Sequence, residues 1–233
     1  MLAAESSTLV LEGGTHNPHS PPFEFLARAF LPLLERMGAV VQATLERPGF
    51  YPAGGGRFRA RVEPCAKLAR LELLERGELR AYGARALVAS LPRAIAEREL
   101  QVVGRRLNWE RRLLRSEVVE HGQGPGNVVI VELESEHVTE VFTGFGERGV
   151  AAEDVAERVA TEAMEYLAEG VPVGTHLADQ LLLPMALAGG GVFRSLEPSL
   201  HGRTQAGVIR EFLGVEVRMG KVEEGGWVFE VGG

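Results

Sequence analysis

The chain has 233 residues, 45% hydrophobic and 24% charged, which suits a globular protein of one or two domains with a true core. Its single cysteine, Cys65, excludes an intramolecular disulfide and fits a reducing cytosol. The net charge of −7 argues against a broad coating of nucleic acid, but it does not forbid recognition of one nucleic-acid end by a local basic patch.

Aromatic residues make up only 6%, so the core must rest on Leu, Val and Ala, and the 29 glycines point to many tight turns. Met1-Leu2-Ala3-Ala4-Glu5 has no basic start and no long apolar run, so no signal peptide is expected. No charge-free stretch approaches a membrane-spanning length. The expectation is a cytoplasmic protein with no membrane contact.

Taken in order, Ser7 to Glu12 reads as a strand. Residues 13–22, GGTHNPHSPP, form an extended loop, because three prolines and two glycines exclude a helix. Phe23 to Met37 has helical period and Gly38 caps it. Val40 to Leu45 and Arg57 to Val62 are strands, joined across RPGFYPAGGG (47–56). Glu72 to Leu87 reads as strands around Gly77. Pro92 to Arg106 is helical with Pro92 at its first turn. Arg115 to Glu120, Asn127 to Ser135 and Thr139 to Phe145 are strands by their Val, Ile and Phe content. Ala152 to Ala168 is an amphipathic helix with Val155, Val159, Ala163, Met164 and Leu167 inward.

The stretch 174–212 organises the rest. An apolar helix opens with His176, Asp179 and Gln180 on its polar entrance and ends at the glycines 189–191. After a short strand, Ser199-Leu200-His201 leads into a second helix with Val208, Ile209, Phe212 and Leu213 as its apolar stripe. Two final strands fall at Val215 to Val222 and Trp227 to Val231. His201 thus lies at a helix N-terminus, where outward backbone N–H groups favour phosphates and a neutral imidazole is a competent nucleophile toward phosphorus. A surface or capping histidine is the alternative that local sequence alone leaves open.

Several weaker motifs carry little by themselves. His16 and His19 stand three apart in a proline-broken loop with no further ligand, so no metal site is expected there. RPGFYPAGGG lacks the Lys-Ser/Thr ending of a phosphate loop and reads as a wide turn, with Arg47 a candidate for an RNA phosphate. QGPGN (123–127) reads as a turn into a strand. Arg105, Arg106, Arg111, Arg112 and Arg115 read as a solvated face rather than an RNA contact. Cys65 reads as buried or incidental.

LADQLLLPMALAGGG followed at this distance by PSLH and an amphipathic helix resembles the RNA 3'-terminal phosphate cyclase family. GGTHNPHSPP, RPGFYPAGGG, QGPGN and LPRAIAERE (91–99) agree, in the family's order, across essentially the whole chain. The resemblance implies an α+β fold, in which repeats of a two-helix, four-stranded unit form a large domain that carries an inserted smaller α+β domain. It places residues 1–78 in the large domain as its second repeat, 79–170 in the insert, and 171–233 in the large domain as its third repeat. The family's first repeat, with its EGGGQ-type loop, has no counterpart here. A fragment, a shortened relative that forms a homo-oligomer to cover apolar surface, and an inactive relative are the competing accounts.

The resemblance also implies the chemistry. His201 attacks the α-phosphorus of ATP to form a covalent histidine–AMP, AMP passes to an RNA 3'-phosphate, and the 2'-hydroxyl closes a 2',3'-cyclic end. The run His176, Leu177, Ala178, Asp179 and Gln180 matches the nucleotide-binding segment, with His176 where tyrosine is common. ATP and a divalent metal, Mg or Mn, are the implied cofactors, and RNA 3'-phosphate ends the implied partner. A non-catalytic cyclase-like protein that binds RNA or a ribosome-assembly partner is the alternative; such relatives are expected to lose the histidine that stands here as His201. An enolpyruvyl transferase shares the repeat architecture but not the PSLH and HLADQ stretches.

Overall fold

The computed structural model describes residues 4–18, 20–120, 122, 124–223 and 225–232. The expectations for His19 and Gln123 lie outside the described residues. The fold is mixed α+β, with three small sheets and five helical segments among the described residues.

β1 (Ser7–Gly13), β2 (Val41–Arg47) and β3 (Gly56–Val62) form an antiparallel sheet in the order β1-β3-β2. Between β1 and β2, the loop after Gly13 enters a helical run, 23–36. Its α-helical parts, α1 (Phe23–Phe25) and α2 (Leu31–Arg36), flank a π-helical turn at Leu26–Phe30. Pro32 explains that turn: it has no N–H to return to the carbonyl four residues back, so the ladder widens just before it. Phe25, Ala29, Leu33, Leu34 and Met37 face the core, while Phe23, Leu26, Ala27 and Phe30, which the helical period also placed inward, are only half-buried.

The second sheet is assembled from distant parts of the chain. β4 (Leu71–Leu73) pairs in parallel with β9 (Gly191–Ser195), which pairs with β11 (Trp227–Val231), which pairs with β10 (Val217–Lys221). The third sheet runs β6-β5-β7-β8, from β5 (Leu79–Ala89), β6 (Leu114–Val119), β7 (Gly126–Ser135) and β8 (Thr139–Phe145). Helices α3 (Arg93–Leu107) and α4 (Ala152–Glu169) cover one face of it.

That sheet shows why alternation matters. Ala86, Val88, Val129, Val131 and Phe142 point toward α3 and α4, while Leu87, Ala89, Val128, Ile130 and Val141 point to the other side, into the core shared with α5 (Thr175–Leu187). Three strands with period-2 side chains, β5, β7 and β8, therefore serve two cores.

Two expectations about helix faces are corrected. In α4, Val155, Val159 and Ala163 are buried but Met164 is exposed. In α6 (Leu200–Leu213) only Ile209 of the apolar stripe is buried; Val208 and Leu213 are open to solvent and Phe212 is 81% exposed. Apolar composition marks a stripe, but what covers it depends on neighbours, and among the described residues nothing covers this one.

Candidate active site

α5 begins at a glycine cap. Gly174 has an extended backbone and no side chain to close the helix end, so a carboxylate from another element does so: Gly174 N–H donates to Glu140 Oε1 at 2.6 Å, and Val141 N–H donates to the other oxygen at 3.3 Å. A Cβ on Gly174 would lie 3.1 Å from that carboxyl. Burial of Glu140 pushes its acid up to about 8, against the pull of the two backbone hydrogen bonds. Sequence reasoning missed Glu140; the available signal was a charged residue in strand phase with Phe142.

Within α5 the expected nucleotide-binding run splits. His176 and Gln180 are exposed and Asp179 is half-buried. Leu177 and Ala178 are 0% and 1% exposed and belong to the core. Their side chains are packing groups, which corrects the expectation that the whole run lines a nucleotide site; the 3.6-residue period turns the two middle positions inward.

The first turn of α6 is built on Asp179. Ser199 is the N-cap, accepting from Gly202 N–H at 2.8 Å, and its hydroxyl donates to both Asp179 carboxylate oxygens at 2.8 Å. Gly202 allows this approach, since a Cβ there would meet Asp179 Oδ1 at 2.6 Å. His201, the second residue of the helix, is exposed. The structure therefore joins the HLADQ and PSLH stretches directly and presents His201 to solvent on the first turn of a helix packed against α5.

Gln180 lies elsewhere on α5's surface, in a depression of about 270 Å³ shared with Thr15, Pro21, Pro22, Phe23 and Phe58. His201 is not among its lining residues. The GGTHNPHSPP loop is fixed beneath this depression by a buried polar chain. Thr15 and His16 N–H both donate to Gly49 O at 2.9 Å, and Gly49 N–H donates to Thr15 Oγ1 at 2.9 Å. The Thr15 hydroxyl then has its own hydrogen for His16 Nδ1, 2.8 Å away, and His16 Nε2–H donates to Glu24 at 2.8 Å. Burial would raise the Glu24 carboxyl, but the hydrogen bond from His16, with the Arg85 guanidinium 3.2 Å away, outweighs it and holds Glu24 below the usual carboxylate value. His16 is thus an internal strut, a role its loop spacing did not reveal, because its partner sits eight residues on in a helix. Arg47 holds Gly55 O at 2.5 Å and is exposed.

No group of three His, Cys, Asp or Glu side chains that could hold a metal occurs among the described residues. Both oxygens of Asp179 are engaged by Ser199. Among the described residues the side chains present do not form a protein cage for a divalent ion.

Residues 1–219 match the family model described as RNA 3'-terminal phosphate cyclase. Among curated proteins, the RNA 3'-terminal phosphate cyclase of Koribacter versatilis (strain Ellin345) is 48% identical over 223 residues, covering 96% of this chain and 63% of that protein. The RNA 3'-terminal phosphate cyclase of Ralstonia nicotianae (strain ATCC BAA-1114 / GMI1000) is 48% identical over 217 residues, covering 93% of this chain and 62% of the relative. That of Pseudomonas aeruginosa (strain UCBPP-PA14) is 45% identical over 227 residues, 97% of this chain and 66% of the relative. The chain spans less than two thirds of the length of these relatives. On the match over residues 1–219 and these identities, the chain belongs to the RNA 3'-terminal phosphate cyclase family.

Proposed function

We propose that this chain carries the adenylyl-transfer machinery of an ATP-dependent RNA 3'-phosphate cyclase, with His201 as the nucleophile. The observation that carries the reading is the Ser199–Asp179 hydrogen bond, which holds His201 on the first turn of α6 against the α5 segment that the resemblance assigns to the nucleotide. The amides of Leu200 and His201 have no backbone acceptor among the described residues, and a helix N-terminus of this kind favours a phosphate. Asp179 acts through Ser199, as a positioning residue. His176, exposed one turn before Gln180, and Gln180 itself at the mouth of an apolar depression, are the side chains of the run that can reach a nucleotide.

In this reading the neutral His201 imidazole attacks the α-phosphorus of ATP; the N–P bond forms, pyrophosphate leaves and the ring gives up its proton. AMP then passes to the RNA 3'-phosphate and frees the histidine. The adjacent 2'-hydroxyl attacks the activated phosphate and releases AMP, a step favoured by its intramolecular geometry. A divalent metal, Mg or Mn, would neutralise phosphate charge when bound. The presence of His201 favours this reading over a non-catalytic RNA-binding or ribosome-assembly role.

The fold supports the domain organisation as well. Among the described residues the strands of 79–170 pair only with one another, whereas β4 and β9, from either side of that segment, pair together. This supports 1–78 and 171–233 as parts of one large domain with 79–170 inserted. The sheet of β4, β9, β10 and β11 with α5 and α6 supports a two-helix, four-stranded unit built mainly from 171–233, with β4 contributed from 1–78. No helix among the described residues is long and apolar enough to cross a membrane.

The test uses α-labelled ATP with a divalent metal. The reading requires an acid-labile label that survives denaturation and vanishes in His201→Ala. Label that persists in that variant, or no label on the chain, overturns it.

A further inference from the structure

We propose that the surface between α3 and β6 is a second site, a track for single-stranded RNA on segment 79–170, separate from His201. Residues 93–116 contain seven arginines and three glutamates, a local charge of +4 in a chain of net charge −7. Phosphate neutralisation needs such a concentration of cations. Of these arginines, Arg111 and Arg115 make no ion pair among the described residues, whereas Arg93, Arg98, Arg105, Arg106 and Arg112 are each paired with a glutamate. Two guanidinium groups are thus left for an outside anion.

The second observation is aromatic. Trp109 and Tyr82 rings lie 4.9 Å apart and tilted by 38°, both partly exposed. Trp109 lines a groove of about 700 Å³ along α3, together with Arg111. Tyr82 lines a neighbouring depression of about 450 Å³ on the open sheet face, together with Arg115. The aromatic pair therefore stands at the divide between two grooves, with one unpaired arginine on each side. That is the arrangement a single strand requires: a planar group for a base and cations for the flanking phosphates.

The divide is rigidly built. Asn108 takes a left-handed conformation (φ 55) to end α3, and Trp109 N–H donates to Gly104 O at 2.8 Å. Gly104 lets the turn sit close, since a Cβ there would meet Leu114 Cδ1 at 2.7 Å. An acidic protein would also be drawn to the arginines, but it has no use for a paired Trp–Tyr platform beside them. Single-stranded RNA uses both features.

The test measures binding without ATP, using a short oligouridylate with a 3'-hydroxyl, which is not a cyclisation substrate. In a Trp227→Phe background Trp109 is the sole tryptophan, and RNA is expected to quench its emission. Arg111→Gln with Arg115→Gln should weaken binding at least about tenfold at low salt. It should also flatten the log–log salt dependence by about 1.4, at about 0.7 per lost contact on a single strand. Trp109→Phe should retain most binding and Trp109→Leu should lose it about tenfold. Absence of quenching, an unchanged salt slope, or displacement by polyglutamate as effective as by unlabelled RNA overturns the proposal. If Trp109→Leu fails to fold, the arginine pair and the quenching decide. His201 labelling is read separately: RNA binding with these properties in a chain that takes no label leaves this track standing and removes the adenylylation reading.

Discussion

The Ser199 hydroxyl is held between two duties: it donates to the Asp179 carboxylate at 2.8 Å and accepts the Gly202 N–H at 2.8 Å. One oxygen thus caps α6 and ties it to α5, and His201 lies in sequence between Ser199 and Gly202, the two residues that the cap joins. Ser199→Ala should cost about 1–2 kcal/mol, the usual loss of an N-cap. It should also slow labelling of His201 without abolishing it. Ser199→Thr, which keeps the hydroxyl, should restore both. A thermal melt and a labelling time course check this; an Ala variant with wild-type labelling would show that the link positions nothing.

Gly202 gives an independent measure of the same contact. In an ordinary helix, Gly→Ala gains about 1 kcal/mol. Here the added Cβ meets Asp179 Oδ1 at 2.6 Å. Asp179 must move, and its bond to Ser199 with it. Gly202→Ala should therefore lower the melting temperature and the labelling rate together. A gain in stability of the normal helical size would mean that α5 and α6 are not held this closely.

Much of this site was legible in the sequence, because it is made of local signals. The strand-to-helix junction at Ser199-Leu200-His201 put His201 at a helix N-terminus, and 3.6-residue spacing put His176 and Asp179 on one face. Nearly every helix and strand followed from period and turn chemistry in the same way, whereas the fold class came with the family resemblance. What was illegible depends on partners far away in the chain. The inward turn of Leu177 and Ala178 could be seen only with the core present, the exposure of Phe212 only with its surroundings, and Glu140 under Gly174 only with β8 brought beside α5.

The His16–Glu24 pair spans only eight residues, from the loop to the helix that follows it. Both residues are buried, and Glu24 has Arg85 as its other charged partner. Removing one member of a buried pair costs about 3–5 kcal/mol, and the remaining Arg85 contact should place His16→Ala toward the lower end. Because the folded Glu24 acid is held below its unfolded value of 4.5, its contribution is present above that pH and lost as the pH falls through the folded value. Urea unfolding at pH 7 and at pH 3.5 should show a smaller gap between wild type and Glu24→Gln at the lower pH. An equal gap at both would remove the pair from the acid response.

Glu140 works in the opposite sense. Its acid is pushed up to about 8 in the folded chain from an ordinary value of 4.5. The neutral form favours the folded state, so this contribution is complete below pH 4.5 and is lost as the pH rises to about 8. The ceiling on the loss is roughly 5 kcal/mol, from 1.36 kcal/mol for each pH unit separating folded and unfolded acids. Glu99, buried against Asn127 and pushed up to about 7, acts in the same direction. Wild type should therefore lose melting temperature steadily from pH 5 to pH 8.5. Glu140→Gln keeps an oxygen for Gly174 N–H and has no proton to lose, so it should flatten most of that decline, and the Glu99→Gln double variant should flatten the rest. The α5 N-terminus is where the charge develops, so His201 labelling in wild type should fall across the same range more steeply than in Glu140→Gln. Parallel pH profiles for the two proteins would mean that the buried carboxyl is not what couples β8 to the start of α5.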